Sequence, residues 1–263
     1  MKIYIFKSLI ISVLSVFLFV SCSKTNSIPT PQTCYLSSVS NAKGNVVQKF
    51  SYDASDRLIK DVNDSTGVTF DFAYTAQNAV DKITVTSKVG AKTYIFIVTF
   101  TYDATGKPLK AVTTFNGAVY QTNVYNYTST QLTQIVSTDA NGTLENARFE
   151  YSGENITKVY VKFDGEKEYL YYEITKFDDK KSLFPEVYKS LDLGLMGLVD
   201  DFNYLNKNNA LSEKYYEEDG SIYHSSDNTF EYNSTSQPIK LTAALNESGL
   251  KSTSVKTYQY SCK

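Results

Sequence analysis

From residue 34 onward the chain alternates apolar and polar positions in segment after segment. Val68, Phe70, Phe72 and Tyr74 share one side of an extended stretch, with Thr69, Asp71 and Ala73 on the other; Tyr94, Phe96, Val98, Phe100 and Tyr102 repeat the arrangement. Period two marks a strand with one packed face. A short phrase recurs where such segments end, most clearly in the stretch from Phe100 through Tyr102, Asp103 and Gly106 to Leu109: aromatic, spacer, aromatic, turn, aliphatic. It returns at Phe50 and Tyr52, Phe72 and Tyr74, Tyr125 and Tyr127, Phe149 and Tyr151, Phe230 and Tyr232, and Tyr258 and Tyr260. Through Tyr151 the second aromatics lie 22 to 28 residues apart, so each unit holds two strands and two turns. The other turn of each unit reads as a two-residue hairpin at Asn116-Gly117, Asn141-Gly142, Asp164-Gly165 and Asp219-Gly220, where positive φ angles are required. The pattern predicts about sixteen antiparallel strands in a meander. Open twisted sheets of more than about ten strands curl or close, so residues 34–263 are expected to form one all-β domain, a strongly curved sheet or a closed barrel.

One gap breaks the period, between Phe177 and Leu211. Inside it Val187, Leu191, Leu195, Leu198, Phe202 and Leu205 recur at three and four residues, which predicts a helical insertion around residues 185–205. Leu193, Met196 and Val199 make it apolar beyond one stripe. That favours a buried plug or cap, the alternative being a mobile lid over a ligand site.

The first 33 residues have another pattern. Lys2 and Lys7 accompany an apolar run from Ser8 to Val20, which is too short for a spanning helix and fits a secretory signal over residues 1–21. Val20-Ser21-Cys22 resembles a bacterial lipobox, and that resemblance implies lipid on the Cys22 sulfur; the alternative is an ordinary signal with an incidental Cys. Ser23 to Thr33, with Pro29 and Pro31 among polar residues, completes a tether over residues 22–33.

The formal net charge is −2, and Arg57 and Arg148 are the only arginines. Nucleic-acid grooves and phosphate clamps depend on clustered Arg, so no nucleic-acid partner is expected. Cys34 and Cys262 stand at the two ends of the folded region. In an oxidising compartment an even pair is expected to be bridged, the alternative being two reduced core thiols.

Phe50-Ser51-Tyr52-Asp53 and the Phe100 phrase are similar to the YD repeats of Rhs-type envelope proteins. The chain also resembles the Bacteroidota-type lipoproteins grouped as a domain of unknown function with a porin-like fold. Cys22, the Cys34-Tyr35-Leu36-Ser37-Ser38 start, the aromatic phrases and the Phe177 to Phe184 segment carry that likeness. The resemblance implies a fold and an address, and no chemistry.

Candidate chemistry is sparse. His224 is the single histidine and has no Cys-x-x-Cys or His pair beside it, so neither a metal nor any other cofactor is expected. Asp178-Asp179, Asp200-Asp201 and Glu217-Glu218-Asp219 are the acidic clusters. Glycoside hydrolysis needs two carboxyls facing each other, and adjacent strand residues point to opposite faces. Tyr171, Tyr172, Tyr215 and Tyr216 are the candidate ligand-binding residues, because tyrosine offers an apolar face and a hydrogen-bonding tip for glycans or peptides. Their alternative role is to hold the sheet together. The reading is therefore an outer-membrane lipoprotein, on the periplasmic side by preference, non-catalytic, and binding a glycan, peptide or envelope protein or serving a structural role. A carbohydrate-active hydrolase and an integral outer-membrane barrel are the alternatives.

Overall fold

The structure is a computed structural model that describes residues 33–129, 131–142, 144–195 and 202–263. The expected signal peptide and the tether up to residue 32, with the Cys22 lipidation site, lie outside the described residues. The chain divides into two units, 1–33 and 34–263, and the second holds every described strand and helix.

Sixteen strands run in order: β1 (Cys34–Asn41), β2 (Val46–Tyr52), β3 (Leu58–Asn63), β4 (Val68–Tyr74), β5 (Val80–Val89) and β6 (Lys92–Tyr102). Next come β7 (Pro108–Phe115), β8 (Ala118–Thr128), β9 (Gln131–Asp139), β10 (Leu144–Ser152), β11 (Asn155–Phe163) and β12 (Tyr169–Lys181). After an insertion the meander resumes with β13 (Asn208–Tyr216), β14 (Ile222–Tyr232), β15 (Pro238–Glu247) and β16 (Leu250–Cys262). Each strand pairs antiparallel with its sequence neighbours, and β1 pairs with β16, so the sheet closes into a barrel. Closure leaves no unpaired edge. At the seam Cys34 and Cys262 are bonded to each other, with Cα atoms 3.9 Å apart.

The recurring phrase has a local cause. Register shifts fall immediately before Tyr52, Tyr74, Tyr102, Tyr127, Tyr151 and Tyr232. A bulge at that point re-aims the side chain, and several of these hydroxyls then reach the backbone near the start of the preceding, paired strand on the same rim. Tyr52 donates to the Leu36 carbonyl at 2.8 Å, Tyr102 to Val80 at 2.6 Å and Tyr151 to Leu132 at 2.7 Å. Tyr260 continues the series on Pro238 at 2.8 Å. The next residue caps the turn. Asp53 Oδ1 accepts the Ser55 and Arg57 amides at 2.8 and 3.0 Å, and Asp103 Oδ1 those of Thr105 and Lys107 at 2.8 and 2.9 Å. Asn233 does the same for Thr235 and Gln237. Those paired bonds hold the fourth turn residue at positive φ, whether it is Gly106 at 84° or Asp56 at 62°.

The opposite rim differs in detail from its expectation. Asn116-Gly117 has both residues at positive φ, as a two-residue hairpin needs, and so does Ser248-Gly249, which the sequence pattern did not single out. At the other three expected sites only Gly142, Gly165 and Gly220 are left-handed. The Asp164 and Asp219 sites lie in longer loops, 164–168 and 217–221. Extra residues there let the turn close with one positive φ instead of two.

Inward positions are apolar: Ile83, Val98, Ile135, Ala147, Ile156 and Val159 are fully buried. Outward positions carry charge in ion pairs: Lys60 with Asp71 at 2.9 Å and Lys240 with Glu231 at 2.7 Å join adjacent strands, and Arg148 on β10 reaches Glu168 in the 164–168 loop at 2.8 Å.

Among the described residues, the insertion between β12 and β13 is less helical than its spacing suggested. It comprises a 3-10 turn (Glu186–Tyr188), one short helix α1 (Lys189–Gly194) and a second 3-10 turn (Phe202–Leu205). Helix α1 stops at Gly194, where a Cβ would lie 2.8 Å from Val98 Cγ1 and 3.0 Å from Phe100 Cζ. Gly194 is thus packed closely against the barrel wall. Leu198 lies outside the described residues.

Candidate functional site

The insertion enters the barrel lumen, and inward polar side chains hold it there. The last carbonyls of a helix lack intrahelical donors, and the wall supplies them. Leu193 O accepts from Asn123 Nδ2 at 2.9 Å and from the Tyr125 hydroxyl at 2.7 Å, while Gly194 O accepts from Thr113 Oγ1 at 3.1 Å. Asn123 is oriented in turn by Gln121 and Ser137, which both donate to its Oδ1. Leu191, Leu193 and Leu195 are buried against the core.

Two buried carboxylates complete the attachment. Asp61 accepts from Gln48 Nε2 at 3.0 and 2.9 Å and from the Tyr188 hydroxyl. Burial pushes the Asp61 carboxyl above its ordinary value, against the opposing effect of those hydrogen bonds. Burial and then the charge of Asp61 push the Tyr188 phenol well up. Glu213 accepts from Ser226 Oγ at 2.7 Å and Asn228 Nδ2 at 3.0 Å on one oxygen. Its other oxygen takes Asn203 Nδ2 at 2.8 Å and the Tyr172 hydroxyl at 2.5 Å.

Beside the insertion the described residues leave a hollow in the lumen. A cavity of about 640 Å³ lies between Tyr188, Leu191, Leu195 and Tyr204 on one side and the strand walls on the other. Val68, Phe70, Val85, Phe96, Phe230, Leu241, Ala243 and Tyr258 supply apolar and aromatic surface to that wall, and Gln48, Asn63, Ser87, Ser226, Asn228 and Ser254 are among its polar side chains. The ionisable groups at its surface are Asp61, Glu213, His224, Lys256 and the tyrosine hydroxyls. That size lies within the usual range of a small-molecule pocket.

No family model and no curated protein matches this chain. Among solved structures it is similar to a porin-like protein from Bacteroides uniformis ATCC 8492. The TM-score is 0.51 at 12% identity, over 87% of this chain and 95% of that one. The likeness shows the fold alone. A second match, the TcdB2-TccC3 structure, has a TM-score of 0.34 at 13% identity, over 82% of this chain and 14% of that chain, and carries no argument.

Three of the four candidate tyrosines come together. Tyr172 is fully buried, its ring 4.5 Å from that of Tyr215, which Tyr171 meets edge-on at 5.9 Å. Tyr223 and His224 pack on Tyr215 from the next strand, at 6.0 and 5.4 Å. Tyr216 lies apart and donates to Glu173 Oε2 at 2.7 Å. His224 is half-buried and faces the cavity. The acidic doublet at residues 178 and 179 splits: Asp178 accepts from Asn209 and Tyr232, while Asp179 pairs with Lys180 at 3.1 Å. Asp200 and Asp201 lie outside the described residues.

Sequence reasoning passed over Asp61, Glu213 and Lys256. Alternation carried a signal for Lys256, whose period-two neighbours Ser254 and Tyr258 both line the cavity, whereas Asp61 is out of phase with Leu58 and its neighbour two back, Ile59, is exposed. Asp61 lies three residues after buried Leu58 and Lys256 two before buried Tyr258.

Proposed function

We propose that this chain is a water-facing, lipid-tethered barrel of the cell envelope that holds a small-molecule ligand in its lumen and catalyses no reaction. The distribution of charge carries this reading. A barrel that spans a bilayer turns an apolar band outward and keeps a polar interior. Here Lys60, Asp71, Arg148, Lys158, Glu173, Glu231 and Lys240 make ion pairs on the outside, and the lumen holds the core. Each Lys or Arg facing hydrocarbon would cost about 2–4 kcal/mol at mid-membrane. Residues 1–33 supply the address: a signal over 1–21, lipid on Cys22 and an outer-membrane location, on the periplasmic side by preference.

All sixteen strands and the insertion lie between Cys34 and Lys263, so a chain produced from Ser23 onward contains the whole folding unit. It should be monodisperse in detergent-free buffer by gel filtration, conduct no ions in planar bilayers and release no products from a polysaccharide panel. A requirement for detergent, or channel currents, would overturn the water-facing assignment. In cells, labelled palmitate should enter the full chain and be lost in Cys22→Ser.

A further inference from the structure

We propose that the lumen cavity takes a small amphiphile with one anionic head group, held at Lys256, and an apolar body lying along Leu241, Phe230, Ala243 and Tyr258. This rests on the ligand-binding function proposed for the lumen and names the class of ligand.

Several inward polar groups are held by the insertion. Thr113, Asn123, Tyr125, Asp61 and Glu213 each have a partner in the insertion, and so their hydrogen-bonding capacity is engaged. Lys256 is different. It lines the cavity, is exposed there, and makes no hydrogen bond or ion pair among the described residues. Its neighbours across the sheet are Asn41 on β1 and Leu241 on β15. Neither brings a carboxylate, and the Asn41 side chain already accepts the Lys43 and Asn45 amides. By contrast Lys60, Lys158 and Lys240 face outward and each pairs with an acid on the adjacent strand.

An inward lysine thus stands beside the apolar stretch of Leu241, Phe230, Ala243 and Tyr258, and charged residues at inward positions concentrate at functional sites. The surrounding residues define the rest of the ligand. Leu241 pairs with Lys256 across one ladder and with Phe230 across the next. Tyr258 comes two residues later on the same face, and Ala243 lies on the diagonal. A cation at the margin of an apolar wall matches a carboxylate or phosphate joined to a hydrocarbon or aromatic body, by a charge-assisted hydrogen bond at one end and burial at the other. Asp61 and Glu213 line the same cavity, but their oxygens are occupied by donors of the protein itself.

Titration calorimetry on the chain from Ser23 onward tests this with four probes: decanoate, decyl phosphate, decan-1-ol and decylamine. At least one anionic probe should bind one to one, and the tighter of the two identifies the head group. Lys256→Gln should weaken it about tenfold or more and leave decan-1-ol unchanged, while Lys256→Arg retains it. Decylamine binding as tightly as the anions, or anion binding unaffected by Lys256→Gln, overturns the proposal. If decan-1-ol alone binds, the head-group assignment falls and the lumen reading stands. If no probe binds, both fall.

Discussion

The hydroxyl of Tyr74 donates to the carbonyl oxygen of Leu58 at 2.6 Å, sixteen residues back in the chain. This bond ties the end of β4 to the start of β3 just beyond a register shift, and its counterparts recur around the rim. Tyr74→Phe removes the donor and leaves the ring in place. A cost of about 1 kcal/mol is expected, seen as a fall in Tm of about 2–4 °C for a domain of this size. No change in Tm would mean that the hydroxyl is replaceable by water.

Alkaline pH should act on the same rim. Burial pushes Tyr74, Tyr102 and Tyr151 up to about 12 from an ordinary value of 10.0. With native values above unfolded ones, the unfolded chain loses protons first as pH rises. The stabilisation is fully present below pH 10 and is lost between about 10 and 12. Tyrosinate absorbance at 295 nm should therefore rise together with loss of the β-sheet circular dichroism signal, whereas independent titration at pH 10 with the fold intact would contradict it.

Asp61 shifts in the same direction, and the sign makes it a liability at neutral pH. Its native value lies above the unfolded one, so its contribution is present at low pH and declines as pH rises through the native value. Asp61→Asn keeps an acceptor for Gln48 and lets Tyr188 reorient its hydroxyl. The Tm of the variant relative to the parent should increase from pH 4 to pH 7; a constant difference would show that the carboxyl does not titrate with folding.

Cys34 and Cys262 close a loop with a sequence separation of 228. The loop-entropy relation puts an upper figure of ~5 kcal/mol on that restraint. Reduction, or the double Cys34→Ser and Cys262→Ser change, should lower the denaturant midpoint by an amount equivalent to about 2–5 kcal/mol. The β1–β16 ladder remains, so the reduced chain should keep its circular dichroism spectrum in the absence of denaturant.

Gly194→Ala sets two effects against each other. Helix propensity favours Ala by about 1 kcal/mol, but the new Cβ would meet Val98 Cγ1 at 2.8 Å, on a side chain that is fully buried. Overpacking typically costs about 1–3 kcal/mol, so net destabilisation is expected in chemical denaturation. Adding Val98→Ala should cost less in the Gly194→Ala background than in the parent chain.

The strands, their number, the antiparallel order and the pairing of the chain ends were legible before any coordinates. A period of two needs only local geometry, and the phrase ending at Tyr52, Tyr74 or Tyr102 marks each bulge and capped turn within a few residues. Even the existence of the insertion showed, as a break in that period. Its packing was not legible, because α1 lies where Gly194 meets Val98 and Phe100, residues about a hundred positions away in the chain. The same holds for the cavity. Alternation places Lys256 on the inward face with Tyr258, but only closure of the barrel around the insertion buries Asp61 and Glu213 and separates these two carboxylates, engaged by Tyr188, Tyr172 and Asn203, from the lysine that has no such partner. Local periodicity is written in neighbouring residues, whereas engagement depends on which side chains meet across the lumen.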